Sequence, residues 1–479
     1  MVYDVLIAGA GVIGGMLARE LSRYQLSVCI LERENDVACG ASKANSGIVH
    51  GGYDPEPGTL KALLNREGVE PLFRTAEELH VPFVRNGSMV CAFSPEEEQT
   101  LQGLYRQGLM NGIGGLSVIS GAEARTLEPQ LSQDVTMVLR VTNAGIICPY
   151  ELTVAAVGNA MDNGVHLKTN FSICGISREK GLFTVTSEDG AKVQGRYLVN
   201  CAGGGSDAVA AMAGDPLFEI IPRAGEYMLL DKAEGSRAGH TLFRVPTAAG
   251  KGILVSPTVD GNLLVGPTAV AVASPYSKDT TPEGLEQVRR LSSQLVPSVD
   301  YRQVITSFTG VRASTAQGDF IVKASECVEG LVHAAAIDSP GLTCCVAIAK
   351  HLIGILEECG LDLSQKAQWS GRREDPHAFR KMTDDQKDAF IRKNPAYGKV
   401  VCRCETVSEG EIVDAIRRNP PANDIDGVKR RTRSGMGRCQ GGFCGPYIME
   451  LLAKERGISV ENVTKSGSGS YMLAGRIGE

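Results

Sequence analysis

The sequence predicts an α/β protein: a Rossmann-like nucleotide-binding unit opens the chain, and a small, α-rich, cysteine-bearing unit ends it. Three observations carry this. The apolar run at residues 2–8 leads straight into Gly9-Ala10-Gly11-Val12-Ile13-Gly14, then an apolar-periodic stretch, then a second apolar run ending at Glu32. Between 215 and 310, short alternating runs broken by Gly and Pro read as an antiparallel sheet. Between 399 and 454, four cysteines fall in two close pairs.

The chain has 479 residues, room for two to four units at ~150 residues each. A composition of 43% hydrophobic and 22% charged residues is that of an ordinary globular protein. A net charge of −6 argues against a nucleic-acid-binding surface. No window of ~18 apolar residues occurs, so no transmembrane helix is expected. Residues 1–8 lack the basic start of a signal peptide, and the expected location is cytoplasmic. There the 14 cysteines are thiols, redox groups or metal ligands rather than disulfides. Those scattered singly read as small core hydrophobes. The adjacent Cys344 and Cys345 read as small helix residues, because bridge geometry is restrictive.

The elements follow in order. A strand at 2–8, a helix from Gly11 to about Tyr24 with Ile13, Leu17 and Leu21 on one face, and a strand at 26–31 make one βαβ unit. Residues 35–60 read as loop and 61–80 as helix. Short strands and a helix near 95–110 fill 81–140. Strand signals return at 165–200 and close on Ala202 and Gly203. A helix is expected near 282–295, a strand at 330–337 and a helix at 343–358. Residues 371–398, charged and holding Pro376 and Pro395, read as a linker, and 455–479 as a tail.

The glycine motif has a physical reading. Gly9 allows the tight turn, Gly11 lets a pyrophosphate approach the backbone, and Gly14 lets helix pack on strand. Glu32, 18 residues after Gly14, is placed to accept from a ribose diol and to repel a 2′-phosphate. The chain then returns to three more loops: Ser42 with Asn45 and Ser46, Ala202 with Gly203, and Gly341-Leu342-Thr343 before the last long helix. Loops that wrap one long ligand suit FAD better than NAD. The final helix would aim its N-terminus at the flavin, favouring negative charge on the reduced ring.

Gly40 to Ala62, with Asn45-Ser46-Gly47-Ile48-Val49-His50-Gly51-Gly52, resembles the FAD-dependent D-amino-acid-oxidase-like superfamily. Within it, L-2-hydroxyglutarate dehydrogenases and glycerol-3-phosphate dehydrogenases are the nearest likenesses. The resemblance extends through Arg223-Ala224-Gly225-Glu226-Tyr227, Gly310-Val311-Arg312-Ala313 and Ser339 to Thr343, covering roughly 1–370. It implies a Rossmann-like FAD-binding domain with an antiparallel substrate-binding sheet inserted at roughly 80–140 and 215–310.

Near the C-terminus, Cys402 and Cys404 form a C-x-C, and Cys439 and Cys444 are separated by four residues. Four thiolates on two short loops can close on a metal or a cluster. Gly441 and Gly442 let backbone N–H groups approach sulfur, and Ser408 with Glu411 reads as a capping box. Lys429, Arg430, Arg431, Arg433 and Arg438 would stabilise an anionic cluster, or else form a solvated face. Residues 399–454 resemble the bacterioferritin-associated-ferredoxin-like [2Fe–2S] domain. Structural zinc and unliganded thiols are the alternatives.

The fused arrangement resembles the catalytic subunit of anaerobic glycerol-3-phosphate dehydrogenase complexes. The resemblance implies oxidation of a small hydroxy substrate, a polyol phosphate or 2-hydroxy acid, by hydride transfer to flavin. Electrons would leave through the cluster to a second flavoprotein or other acceptor subunit, which would also supply any peripheral membrane association. His50 is the candidate base, with a structural histidine as its alternative. Arg312 is the candidate clamp for carboxylate or phosphate, and Arg223 and Tyr227 are further candidates in the substrate sheet. Other readings are an L-2-hydroxyglutarate dehydrogenase, an amino-acid or opine dehydrogenase subunit, and an electron-transfer subunit without its own substrate.

Overall fold

A computed structural model of the chain describes residues 1–246 and 252–475. Residues 247–251 of the expected sheet and 476–479 of the tail lie outside the described residues.

The opening strand Val2–Ala8 sits at the centre of an eight-stranded sheet, parallel to Val28–Leu31 on one side and Lys192–Asn200 on the other. Leu331–Ala335 joins the end of Lys192–Asn200 in parallel, so Ala8, Asn200 and Ala335 finish near one edge. Parallel strands covered on both faces must be apolar throughout, and Val5 to Ala8 are fully buried. The helix Val12–Leu21 follows Gly11 and is buried along its whole length. Its far side is closed by the chain around Trp369 to Gly371, where Arg19 donates to the Gly371 carbonyl at 3.1 Å.

The second sheet has nine strands and holds both expected insertions. Ser88–Ala92, Leu116–Ser120 and Met137–Val141 come from the first; Ile221–Leu230 to Val270–Ala271 and Val304–Ser314 come from the second. Its pairings differ from a purely antiparallel sheet at one seam: Ser88–Ala92 runs parallel to Thr241–Arg244. No hairpin joins these two strands, so nothing local imposes the antiparallel sense.

Outside 371–398, four helices escape the sequence reading: Gly121–Leu127, Pro149–Asp162, Ser206–Met212 and Ile425–Thr432. Pro149–Asp162 is buried along most of its length, so apolar residues surround rather than stripe it, and Ser206–Met212 is only seven residues long. Ile425–Thr432 is masked by its charge run, yet Asp424 caps it by accepting from Gly427 at 2.5 Å. Ser408 and Glu411 form both bonds of a capping box on Glu409–Arg417.

The stretch 371–398, read as a linker, carries the helices Ala378–Lys381 and Asp384–Lys393. Several of its charges are paired with the rest of the molecule. Arg373 pairs with Asp162 at 2.7 Å, His377 with Glu151 at 2.8 Å, and Arg380 with Glu411 at 2.6 Å. The described part of the tail folds back, and Gly467 donates to Asp424 at 2.9 Å.

Candidate functional site

A cavity of about 1070 Å³ runs from the glycine motif to the face of the second sheet. At its first end, Gly9 has φ +104°, and a Cβ there would stand 2.6 Å from the Cys201 carbonyl oxygen. A Cβ on Gly14 would stand 2.1 Å from the Gly9 oxygen. Gly9 and Gly11 line the cavity, whereas Gly14 lies behind it, holding helix on strand. Ser42 accepts from the Val12 N–H at 2.9 Å. Glu32 lines the cavity and accepts from Ala10 at 2.7 Å and Glu34 at 2.9 Å. Burial pushes its carboxyl above the ordinary value. Arg33, Phe171 and Ile173 complete this end, and sequence reasoning missed them because they come from separate strand ends.

Asn45, Ser46, Ala202, Gly203, Gly341 and Leu342 all line the same cavity. Thr343 does not. It is buried behind the wall, where its hydroxyl accepts from the His50 N–H at 2.9 Å, so it acts on His50 rather than on a ligand.

At the far end the cavity is lined by His50, Tyr227, Arg223 and Arg312. Ser339 Oγ lies 3.4 Å from His50 Nε2, and the His50 and Phe243 rings stand 5.9 Å apart. Asn65 donates to the His50 carbonyl at 2.8 Å. Ser46 Oγ lies 3.1 Å from the Tyr227 hydroxyl, which joins the substrate sheet to the Asn45–Gly47 loop. Arg223 and Arg312 are directly opposite on neighbouring strands. Neither forms an ion pair with a carboxylate among the described residues; Arg312 Nη1 donates to the Thr268 carbonyl at 3.3 Å. Lys61 is neutralised by Asp338 at 2.6 Å.

The four cysteines of the C-terminal unit meet as two couples. Cys404 and Cys439 Sγ are 3.6 Å apart, and Cys402 lies beside Cys444. The neighbouring Cys444 thiol, aided by the N–H groups of Gly435, Glu405 and Cys404, holds the Cys402 thiol down to about 6. The Phe443 N–H above all, with Cys404, Gly441 and Gly442, lowers Cys439. Four thiols ringed by backbone donors suit an anionic iron–sulfur cluster. Among the described residues no three metal-binding side chains gather as a single-ion site.

The nearby cations do not simply face the thiols. Arg430 and Arg431 are drawn onto Asp36, Arg438 onto Asp231, and Arg433 onto Asp260 and Glu405. They dock the cysteine unit on the rest of the molecule, a role that the charge run did not disclose.

A dinucleotide cradle opening onto a second-sheet pocket, with two cysteine couples docked beside it, defines a two-centre redox protein. Residues 4–354 match the family model described as FAD dependent oxidoreductase, and the chain belongs to that family. Residues 400–454 match the BFD-like [2Fe-2S] binding domain, and the cofactors are FAD and a [2Fe–2S] cluster. A glycerol 3-phosphate dehydrogenase of Caloramator mitchellensis is 41% identical over 474 residues, 99% of this chain and 98% of its own. A human mitochondrial L-2-hydroxyglutarate dehydrogenase is 29% identical over 56% of this chain and 61% of its own. The solved structure of a dithionite-reduced L-alpha-glycerophosphate oxidase of Mycoplasma pneumoniae with FAD bound superposes with a TM-score of 0.75, at 30% identity, covering 78% of this chain and 98% of that one.

Proposed function

We propose that this protein oxidises sn-glycerol-3-phosphate to dihydroxyacetone phosphate and passes the electrons through its cluster to a partner protein. One observation carries the substrate: Arg223 and Arg312 face each other across the sheet, inside the cavity, with no ion-paired carboxylate among the described residues. Like charges placed directly opposite repel. A phosphate dianion resolves that repulsion and offers the oxygens that guanidinium forks bind best. The full-length likeness to a glycerol 3-phosphate dehydrogenase supports the same reading.

FAD, when bound, supplies the hydride acceptor, and the [2Fe–2S] cluster a one-electron acceptor. The chain supplies the rest. Arg223 and Arg312 hold the phosphate. His50 Nε2 takes the hydroxyl proton as the carbinol C–H is broken, its ring set by Ser339 and Phe243 and its backbone by Thr343 and Asn65. Tyr227, tied to Ser46, keeps the substrate sheet against the loop that would flank the flavin. Gly9, Gly11, Glu32, Ser42, Asn45 and Gly341 would hold FAD, and Cys402, Cys404, Cys439 and Cys444 the cluster.

The cluster serves a second flavoprotein or other acceptor subunit, because an enzyme reacting directly with oxygen has no need of it. No helix among the described residues is long and apolar enough to cross a membrane. Beside the four cluster cysteines, the other ten remain as thiols among the described residues, which suits the reducing cytoplasm.

The test is an anaerobic titration of the purified protein, followed by its visible spectrum, with sn-glycerol-3-phosphate and L-2-hydroxyglutarate in turn. Bleaching by the phosphate ester is expected. Bleaching by the hydroxy acid alone would move the assignment to a 2-hydroxy-acid dehydrogenase. Bleaching by neither, with both cofactors present, would favour another substrate or a purely electron-transferring role.

A further inference from the structure

The cysteine unit touches the rest of the molecule in several places, and these differ in where they lead. The Arg430 and Arg431 pairs with Asp36 end beside the first nucleotide-binding loop. The Arg438–Asp231 and Lys232–Glu405 pairs end at the turn that follows the substrate-sheet strand Ile221–Leu230. A third contact leads elsewhere. The Tyr150 hydroxyl lies 3.4 Å from Met436 Sδ and donates to it.

Both ends of that contact are tied to a redox site. Met436 lies between Gly435, whose N–H faces the Cys402 thiol, and Gly437, where any Cβ would collide with Cys404. Tyr150 stands three residues after Ile147, whose N–H donates to the Gly47 carbonyl at 2.7 Å. Gly47 directly follows Asn45 and Ser46, which line the cavity at its substrate end. A continuous run of covalent and hydrogen bonds therefore links the cavity wall to the cluster loop: Ser46-Gly47, Ile147 to Tyr150, Met436, Gly435 and Cys402.

The junction is fixed from a third side. Arg433, buried and at φ +65°, donates to the Tyr150 oxygen at 3.2 Å, to Asp260 at 2.5 Å, to Glu405 at 3.0 Å and to Asn262 at 3.3 Å. One side chain thus joins the nucleotide unit, the substrate sheet and the cysteine loop. With Arg433 donating to its oxygen, Tyr150 keeps its own proton for sulfur. Burial first of all pushes that phenol well above its ordinary value, so the proton stays in place.

We propose that Tyr150 and Met436, clamped by Arg433, form the crossing by which electrons pass from the flavin site to the cluster. They are positioning residues: neither ligates iron nor touches substrate. The inference rests on the cofactor assignment but not on the identity of the substrate. Two electrons enter per substrate oxidised. The cluster accepts one at a time, one ferric iron becoming ferrous, and an external one-electron acceptor such as ferricyanide clears it between turnovers.

The test uses the full chain with both cofactors, as wild type, Tyr150→Phe and Met436→Leu. Flavin reduction is followed by stopped-flow absorbance. Cluster reduction is followed by freeze-quench electron paramagnetic resonance, and the cluster potential by a redox titration. Electrons are supplied in one arm by sn-glycerol-3-phosphate and in another by photoreduction of the flavin, so a wrong substrate does not obscure the result. The expected outcome is unchanged flavin reduction and unchanged cluster potential, with cluster reduction slowed about tenfold or more, as for other outer-shell contacts. Cluster reduction at the wild-type rate in both variants would overturn the proposal. So would a slowing fully explained by a fall in cluster potential or cluster content, since the contact itself would then not matter. If Tyr150→Phe fails to load its cluster, the nearly isosteric Met436→Leu decides alone.

Discussion

Asp36 receives Arg431 through both carboxylate oxygens, Nη2 to Oδ1 at 2.7 Å and Nη1 to Oδ2 at 2.8 Å, across 395 positions of sequence. Arg430 adds a third bond at 2.5 Å. Asp36 lies four residues beyond Glu32 and is 2% exposed. This one carboxylate holds the cysteine unit against the nucleotide loop. Asp36→Ala would leave two buried guanidiniums uncompensated, at a cost of about 3–5 kcal/mol. Calorimetry should show a lowered melting transition, and limited proteolysis should cut first between the FAD unit and the cysteine unit.

The same group sets an acid limit. Burial opposes its ionisation, but Arg431 and then Arg430 hold Asp36 down to about 2. An unfolded Asp titrates near ~3.9. With the folded value below the unfolded one, the contribution is complete above about pH 4 and is lost as pH falls through about 2. Melting temperatures between pH 5 and pH 2.5 should therefore drop more steeply for the wild type than for Asp36→Asn. Parallel curves would mean that other carboxylates control acid unfolding.

Arg223 and Arg312 should separate binding from chemistry. Removing a charge-assisted bond costs about 1.5–3 kcal/mol, and each ~1.4 kcal/mol is tenfold in affinity. Arg312→Ala and Arg223→Ala should therefore each raise KM ten- to hundredfold and weaken inhibition by inorganic phosphate. Arg312→Lys should recover little, because an ammonium lacks the fork. An unchanged phosphate inhibition constant would place the anion elsewhere.

His50→Ala should slow flavin bleaching by about 10²–10⁴-fold, the usual worth of a positioned base, with FAD still bound. Thr343→Val, which removes the acceptor for the His50 N–H, should lower the same rate more modestly. Wild-type bleaching in His50→Ala would assign the proton to another group and leave His50 a structural residue.

Much of this was legible in the sequence, and the reason is locality. Gly9, Gly11, Gly14 and Glu32 lie within one βαβ unit, so spacing alone implies their arrangement. The cysteine pairs sit on two short loops, and the Ser408 box spans four residues. The missed features are those whose partners are remote. Ser339 reaches His50 across 289 positions, and Asp338 reaches Lys61 across a comparable gap. Arg430 and Arg431 read as cations for the cluster, or else as a solvated face, because Asp36 is nowhere near them in sequence. Thr343 looked like a ligand-binding residue because it opens a helix beside the cavity, yet its hydroxyl points to backbone instead.

Gly225 and Gly310 are opposite each other on neighbouring strands, and a methyl group should have different effects at the two sites. At Gly310 a Cβ would stand 1.8 Å from the Ala44 carbonyl oxygen, in the loop that leads to Asn45 and Ser46. That neighbour is backbone and cannot turn aside. Gly310→Ala should therefore push the substrate sheet off the flavin-side loop, cost at least the ~1–3 kcal/mol of overpacking, and yield protein deficient in FAD. At Gly225 a Cβ would meet the Arg312 guanidinium at 2.9 and 3.1 Å and Pro267 Cβ at 2.8 Å. The guanidinium can swing away, whereas the Pro267 ring must shift with its backbone, so Gly225→Ala should lose some stability, less than Gly310→Ala, and still load FAD. It should nevertheless carry the raised KM of an Arg312 variant, because the displaced fork no longer faces Arg223. Measuring FAD content and KM on the two variants distinguishes these outcomes, and a Gly225→Ala enzyme with normal KM would show that Arg312 does not bind substrate from its present position.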